Sequence, residues 1–167
     1  MPHVIVIDDD PILLQALTET VRLGIDGVIV DMFDSPRAAL EWINHHDYDV
    51  IVSDIKMPEM DGLTLLDNIQ ALRPGVPTIL ITGHHECDLA VRALRNGAYD
   101  FIQKPIDRRY FLKALNAAIQ VRHLIREAAE SQPEEETTPS SPESTASWST
   151  SCRSPRVNCT RRPREDS

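Results

Sequence analysis

Cysteine is scarce in this sequence of 167 residues, and there is no long hydrophobic run. The three cysteines are an odd number, and Cys87 is far from Cys152 and Cys159, so the pattern favours a reducing compartment over a disulfide framework. No apolar run approaches the roughly 18 residues that a membrane helix needs. The start, Met1, Pro2 and His3, lacks the charged region of a signal peptide. We therefore expect a soluble cytoplasmic protein.

Basic residues are also few, with 17 Lys and Arg against 26 Asp and Glu and a net charge of -9. Surfaces that bind nucleic acid or anionic membranes are basic, so the balance argues against either as the partner of a whole domain. Hydrophobic residues make up 41% of the chain, enough for an ordinary core without a metal or disulfide staple. The length predicts one domain, with or without an appendage.

Short apolar runs alternate with stretches of helical periodicity over the first 129 residues. The predicted strands are residues 4–7, 28–30, 50–53, 78–81 and a run containing 101–102. Helical spacing follows each strand, at about residues 11–21, 36–43, 65–72, 89–94 and 107–129. Parallel neighbours need crossover connections, so five strands alternating with five helices predict a parallel sheet covered on both faces.

Polar residues follow four of the predicted strands. Asp8 and Asp9 follow the first, Asp54 the third, Thr82 the fourth, and Lys104 the fifth. The carboxyl ends of parallel strands meet at one edge, where such sheets bind ligands. Each residue alone has a structural explanation, since an acid can begin a turn, a threonine can cap a strand and a lysine can be a surface charge. Together, in this order, they predict one site.

Three carboxylates brought together need a cation, because each close pair repels by roughly 1–4 kcal/mol. Oxygen ligands without His or Cys favour a hard ion, and an open site that retains waters suits Mg²⁺ better than Ca²⁺. A carboxylate can act as the nucleophile in phosphoryl transfer and form an aspartyl phosphate. Asp54 is the candidate nucleophile, while Lys104 would neutralise charge and Thr82 would donate a hydrogen bond to a phosphoryl oxygen.

These residues occur within motifs that resemble a known family. Residues 1–125 resemble the receiver (phosphoacceptor) domain of two-component response regulators. The run from Gly97 to Phe101 further resembles receivers that precede the ATPase domains of enhancer-binding transcription activators. The motifs that carry the resemblance are Val-Ile-Asp8-Asp9-Asp10, Asp54-Ile-Lys-Met-Pro58-Glu-Met-Asp-Gly62, Ile-Thr82-Gly83 and Gly97-Ala-Tyr-Asp-Phe101-Ile-Gln-Lys104-Pro105.

The resemblance implies a flavodoxin-like, doubly wound (βα)5 fold of three layers, with a five-stranded parallel sheet in the order 2-1-3-4-5. It implies that Asp54 accepts a phosphoryl group from the phosphohistidine of a sensor histidine kinase or a phosphotransfer protein. It also implies that Asp9 binds Mg²⁺ directly, that Asp8 acts largely through water, and that Asp54 and the backbone carbonyl of Lys56 complete the ligands.

The resemblance further implies how the domain signals. Thr82 and Phe101 would form a switch pair, in which the hydroxyl moves to the phosphoryl group and the ring turns into the vacated space. The Lys104–Pro105 peptide bond would be cis, a rare state. The face formed by the fourth helix, fifth strand and fifth helix would then change its preference for an output protein or for a second copy of the chain.

Composition changes abruptly after the fifth helix, which suggests a receiver domain over residues 1–129 and a tail over residues 130–167. Ser, Thr and Pro occupy 19 of the last 37 positions, and such a segment cannot bury enough apolar surface to order itself, so we expect disorder. The tail is acidic at residues 134–136 and rich in arginine at residues 153–164. The basic end allows DNA binding as an alternative. A lost reading frame, affecting residues from about 146 onward, is another.

Two further alternatives concern the chemistry. An aspartate-nucleophile phosphatase usually has a second acid two residues after the nucleophile, where this chain has Lys56, so we expect a signalling receiver that catalyses only its own phosphorylation and dephosphorylation. His84, His85 and Cys87 are close enough in sequence to suggest a metal site, but no second ligand pair has suitable spacing, which favours a solvated loop.

Overall fold

A computed structural model describes residues 1–83 and 87–131. The predictions for His84, His85 and residues 132–167 concern positions outside the described residues, and the side chain of Cys87 is not described either. The strands are β1 (His3–Ile7), β2 (Ile29–Phe33), β3 (Val50–Asp54), β4 (Thr78–Thr82) and β5 (Asp100–Gln103). The helices are α1 (Pro11–Gly24), α2 (Pro36–His45), α3 (Gly62–Leu72), α4 (Cys87–Arg95) and α5 (Arg108–Glu130).

The strands form one parallel sheet in the order β2-β1-β3-β4-β5, which confirms the predicted fold. In the register of the sheet, Ile7 lies beside Ser53, and Asp54 lies beside Ile81. The ends of β1, β3 and β4 are therefore level with one another. We call this side of the sheet the carboxyl edge and the opposite side, where the strands begin, the amino edge.

Alternate residues of the strands point to opposite faces of the sheet, and each face is covered by helices. On one face Val6, Val52 and Ile81 pack with residues of α1 and α5. On the other face Ile5, Ile7 and Ile51 pack with residues of α2 and α3. The sheet is thus buried on both sides, as a parallel sheet with crossover helices requires.

Aspartates begin three of the helices. Asp10 caps α1, Asp61 caps α3 and Asp107 caps α5, each accepting hydrogen bonds from backbone N–H groups of the first turn. Ser35 at the start of α2 differs, because its hydroxyl makes no capping bond and instead donates to Glu59 Oε2 at 3.0 Å. Local sequence cannot show that Glu59 comes within reach of this serine.

Several helices and strands are up to three residues longer than predicted. β2 begins at Ile29 and continues to Phe33, beyond the predicted end at residue 30, because it pairs along β1 as far as Ile7. α5 reaches Glu130, and near its end Arg126 binds Asp49 at the start of β3. None of the described helices, α5 included, has the length and hydrophobicity that crossing a membrane requires.

Candidate functional site

Asp54 is the last residue of β3 and is 4% exposed. Both of its carboxylate oxygens accept a hydrogen bond. Oδ1 lies 2.8 Å from Lys104 Nζ, and Oδ2 accepts from the Lys56 backbone N–H at 3.0 Å. These two contacts hold the buried carboxylate in position at the carboxyl edge of the sheet.

Asp8 follows β1 and is buried beside Asp54. Its Oδ1 accepts from the backbone N–H of Asp10 at 2.8 Å, whereas its buried Oδ2 has no hydrogen-bond partner among the described residues. Burial raises the pKa of Asp8 to about 6, and the negative charges of Asp54 and Asp9 add to the increase. Of the two buried acids, Asp54 is paired with Lys104, whereas Asp8 is not paired with a cation among the described residues.

Lys104 supplies the positive charge of the site. Desolvation alone would lower its pKa, but the hydrogen bond and charge of Asp54, together with Asp8, raise it overall. Its backbone N–H donates to the Thr82 carbonyl at 2.8 Å, and the Lys104–Pro105 bond is cis, as the resemblance implies. The contact with Asp54 Oδ1 positions the ammonium group.

The donor set fits a hard divalent ion. An unpartnered, buried carboxylate oxygen on Asp8 lies at the same edge as Asp54, and exposed Asp9 follows immediately in the chain. Within residues 1–83 and 87–131, no three side chains of His, Cys, Asp and Glu form a ready-made metal cluster. A site that used fewer protein carboxylates, a backbone carbonyl and water would suit Mg²⁺, which keeps several of its waters.

Thr82 and Phe101 lie on the two neighbouring strands β4 and β5. Thr82 is 2% exposed, and its hydroxyl lies 3.4 Å from the Gly83 carbonyl oxygen. This hydrogen bond is long and therefore weak. Phe101 is partly buried on β5. The structure thus brings both members of the predicted switch pair to adjacent strands near Lys104.

Gly62 has a role that the sequence interpretation did not assign. A Cβ at this position would lie 2.5 Å from the Asp54 carbonyl oxygen and 2.8 Å from Ile55 Cα. The Gly62 N–H donates to the Ile55 carbonyl at 2.7 Å, so the start of α3 closes directly onto the end of β3. The glycine that follows Asp61 in the sequence could have indicated this contact, because glycine often occurs where two backbone segments approach closely.

The structure combines a doubly wound α/β fold with an acidic pocket and a lysine paired with Asp54 at its carboxyl edge. The model of the response regulator receiver domain matches residues 4–116, and the chain belongs to that family. Receiver domains of two-component response regulators are characteristically phosphorylated on an aspartate and generally bind Mg²⁺.

Similar proteins include transcriptional regulators. The C4-dicarboxylate transport transcriptional regulatory protein DctD of Rhizobium meliloti is 40% identical over 126 residues, which are 75% of this chain and 27% of DctD. The transcriptional regulatory protein GlrR of Escherichia coli is 36% identical over 71% of this chain and 26% of its own length. The chain thus spans about a quarter of the length of these relatives.

Solved structures show the same fold. A receiver domain protein from Clostridium thermocellum has a TM-score of 0.70 and 29% identity to this chain. The alignment covers 75% of this chain and 99% of that receiver. The likeness therefore extends over a whole receiver domain.

Proposed function

We propose that this chain is a phosphorylation switch of a two-component system, in which Asp54 accepts a phosphoryl group from the phosphohistidine of a sensor kinase or a phosphotransfer protein. The observation that carries the proposal is the arrangement at the carboxyl edge. There the buried carboxylate of Asp54 binds Lys104 and lies beside a second acid, Asp8, whose Oδ2 has no partner among the described residues. Such an arrangement would accommodate both a cation and a negatively charged phosphoryl group.

The transfer needs little from the protein beyond positioning and neutralisation of charge. A carboxylate oxygen of Asp54 attacks phosphorus, the N–P bond of the phosphohistidine breaks, and its electron pair stays with the imidazole nitrogen. The Lys104 ammonium, now 2.8 Å from Asp54 Oδ1, would move to a phosphoryl oxygen as the carboxylate becomes an acyl phosphate. Its raised pKa keeps it charged throughout.

Mg²⁺ would be held by Asp9, Asp54 and the backbone carbonyl of Lys56, with Asp8 acting largely through water. When bound, the ion would neutralise charge on the phosphoryl group. Two observations support this assignment: the pKa of Asp8 is raised, and its Oδ2 has no partner within the described part of the chain. A bound cation would supply the positive charge that this acid lacks. Lys104 and the Lys56 N–H would hold the Asp54 carboxylate in position.

The output would be a change in the outer surface of α4, β5 and α5. Thr82 would donate to a phosphoryl oxygen instead of the Gly83 carbonyl, and the Phe101 ring would turn inward into the space that is released. A phosphoryl group brings about -1.5 to -2 charges, enough to bias such a two-state element. The altered surface would bind an output protein or a second copy of the chain, and residues 1–129 would suffice as the receiver.

The test is to add Mg²⁺ with acetyl phosphate or beryllium fluoride and to follow backbone NMR resonances. We expect shifts around Asp54 and Phe101, together with a phosphorylated species by intact mass when acetyl phosphate is used. Asp54→Ala should abolish both responses while the variant stays folded. A well-folded, unmodified protein that responds to neither reagent would exclude the proposal.

A further inference from the structure

A cleft of about 460 Å³ opens beside the proposed phosphorylation site. It lies between α4 and the loop that joins β3 to α3. Asp9 and Lys56 line the end nearest the site, Leu63 and Leu89 contribute apolar surface, and Asp61 and Arg92 complete the polar lining. The cleft is thus large enough for a small molecule and reaches the residues around Asp54.

Arg92 is the cationic residue that α4 contributes to this cleft. Its side chain is exposed, and it is close enough to Asp61 for its charge to contribute to the lowered pKa of that acid, after the stronger effect of the hydrogen bond from the Thr64 N–H. Arg95, one turn further along the same helix, is also exposed but does not line the cleft. The two arginines therefore form a matched pair.

An anionic phosphodonor that enters this cleft meets strong repulsion. Asp9 and Asp61 line its wall, and the buried acids Asp8 and Asp54 are the chain neighbours of the lining residues Asp9 and Ile55. The Lys104 ammonium lies against Asp54, so much of its charge is already compensated. A guanidinium at the mouth would offset part of the repulsion, and its planar donors suit phosphate and carboxylate oxygens.

We propose that Arg92 attracts and orients small acyl phosphates in this cleft, as a positioning residue for phosphorylation of Asp54. The inference rests on the proposed function and concerns the residue that positions a small phosphodonor. A short acyl group would lie against Leu63 and Leu89, with the phosphoryl group toward Asp54. An Asp54 oxygen forms the new bond to phosphorus, the bridging P–O bond breaks, and the carboxylate leaves with its electron pair, so no proton or further reactant is needed.

The experiment compares Arg92→Gln with Arg95→Gln, which remove the same charge from the same helix. The rate of phosphorylation is measured against acetyl phosphate concentration, with Mg²⁺, at low and at high ionic strength. Arg92→Gln should lower the apparent second-order rate constant about three- to ten-fold at low salt, as expected for losing one charge near a dianion. Salt should shrink the difference because it screens exposed charges. Arg95→Gln should behave like the unmodified protein.

A conservative variant separates positioning from a structural role. Arg92→Lys keeps the charge and should recover most of the rate. Equal rates for Arg92→Gln and Arg95→Gln would overturn the inference, and so would an equal, salt-independent loss in Arg92→Gln and Arg92→Lys. Beryllium fluoride with Mg²⁺ separates a failure of this inference from a failure of the proposed function. If it perturbs the resonances around Asp54 in every variant, the proposed function stands whatever the role of Arg92. A lack of response in the unmodified protein would exclude both the proposed function and the role of Arg92.

Discussion

Both edges of the sheet bury aspartates, and Asp49 at the amino edge differs from Asp8 at the carboxyl edge in how its oxygens are bound. At the amino edge Asp49 is 3% exposed, and both its oxygens are bound: Oδ2 accepts from the His3 N–H at 2.8 Å, and Oδ1 lies 2.8 Å from Arg126 Nη1. At the carboxyl edge Asp8 is 1% exposed, yet its Oδ2 has no partner among the described residues, and its pKa is raised to about 6.

Burial alone therefore does not identify a functional acid. A buried charge that is paired and hydrogen-bonded can contribute to the fold, whereas one left short of partners costs stability. Asp49 connects β1, β3 and the end of α5. Asp8 contributes less to the fold than it costs, and the sheet tolerates this at the edge where we propose that a cation and a phosphoryl group bind.

The largest expected effect lies in the backbone that shapes the carboxyl edge. Gly62→Ala should lower the free energy of unfolding by about 3 kcal/mol, at the upper end for overpacking, because the added methyl meets the Asp54 carbonyl oxygen at 2.5 Å. Backbone on both sides of that contact cannot rotate away. Chemical denaturation measures the loss, and NMR shifts around Asp54 should show that the distortion reaches the site.

Gly24→Ala is the matched control. A methyl there would also lie 2.5 Å from its nearest atoms, but these are the Cδ atoms of the Leu112 side chain, which can change rotamer. We expect a loss well below that of Gly62→Ala. If the two variants lost the same free energy, the close packing of Gly62 on Asp54 would not be a special property of the site.

The second prediction concerns the amino edge. Asp49→Asn keeps an acceptor for the His3 N–H but removes the charge that pairs with Arg126, so stability should fall by about 1.5 kcal/mol. The estimate is modest because the Arg126 side chain is 41% exposed and water can solvate it. Hydrogen exchange should also become faster in the last turns of α5. An Arg126→Gln variant that lost nothing would show that this contact does not hold the helix.

Sequence reasoning predicted the fold and the composition of the site better than it predicted this contrast. Alternating strands and helices predicted a parallel sheet covered on both faces, the family resemblance supplied its strand order, and the strand ends predicted that Asp8, Asp54, Thr82 and Lys104 lie together. Spacing could not show which acid would be bound on both oxygens, since Asp49 finds its partner 77 positions away in Arg126. The hydrogen bond from the Ser35 hydroxyl to Glu59 could not be predicted for the same reason, because the two residues lie in separate segments of the chain.

The third and smallest effect should have the opposite sign. Asp8→Asn, the same substitution as at Asp49, should raise the free energy of unfolding by about 1 kcal/mol at pH 7 without Mg²⁺. Removing the buried charge would gain roughly 3 kcal/mol, but burying the Asn amide N–H groups offsets most of that gain. The pKa of Asp8 is about 6 in the folded protein against an ordinary value of 3.8. Its contribution to stability is thus fully present below about pH 4 and is lost as the pH rises through about 6.

The gain from Asp8→Asn should therefore be small near pH 4 and grow toward pH 7, which denaturation curves at several pH values would show. Added Mg²⁺ should reduce or reverse the gain, because an ion that binds only the folded, unmodified protein stabilises it by mass action. A gain that did not change with pH would mean that the charge of Asp8 is not what costs stability. If Asp8→Asn and Asp49→Asn both destabilised the protein equally, the contrast between the two edges would be wrong.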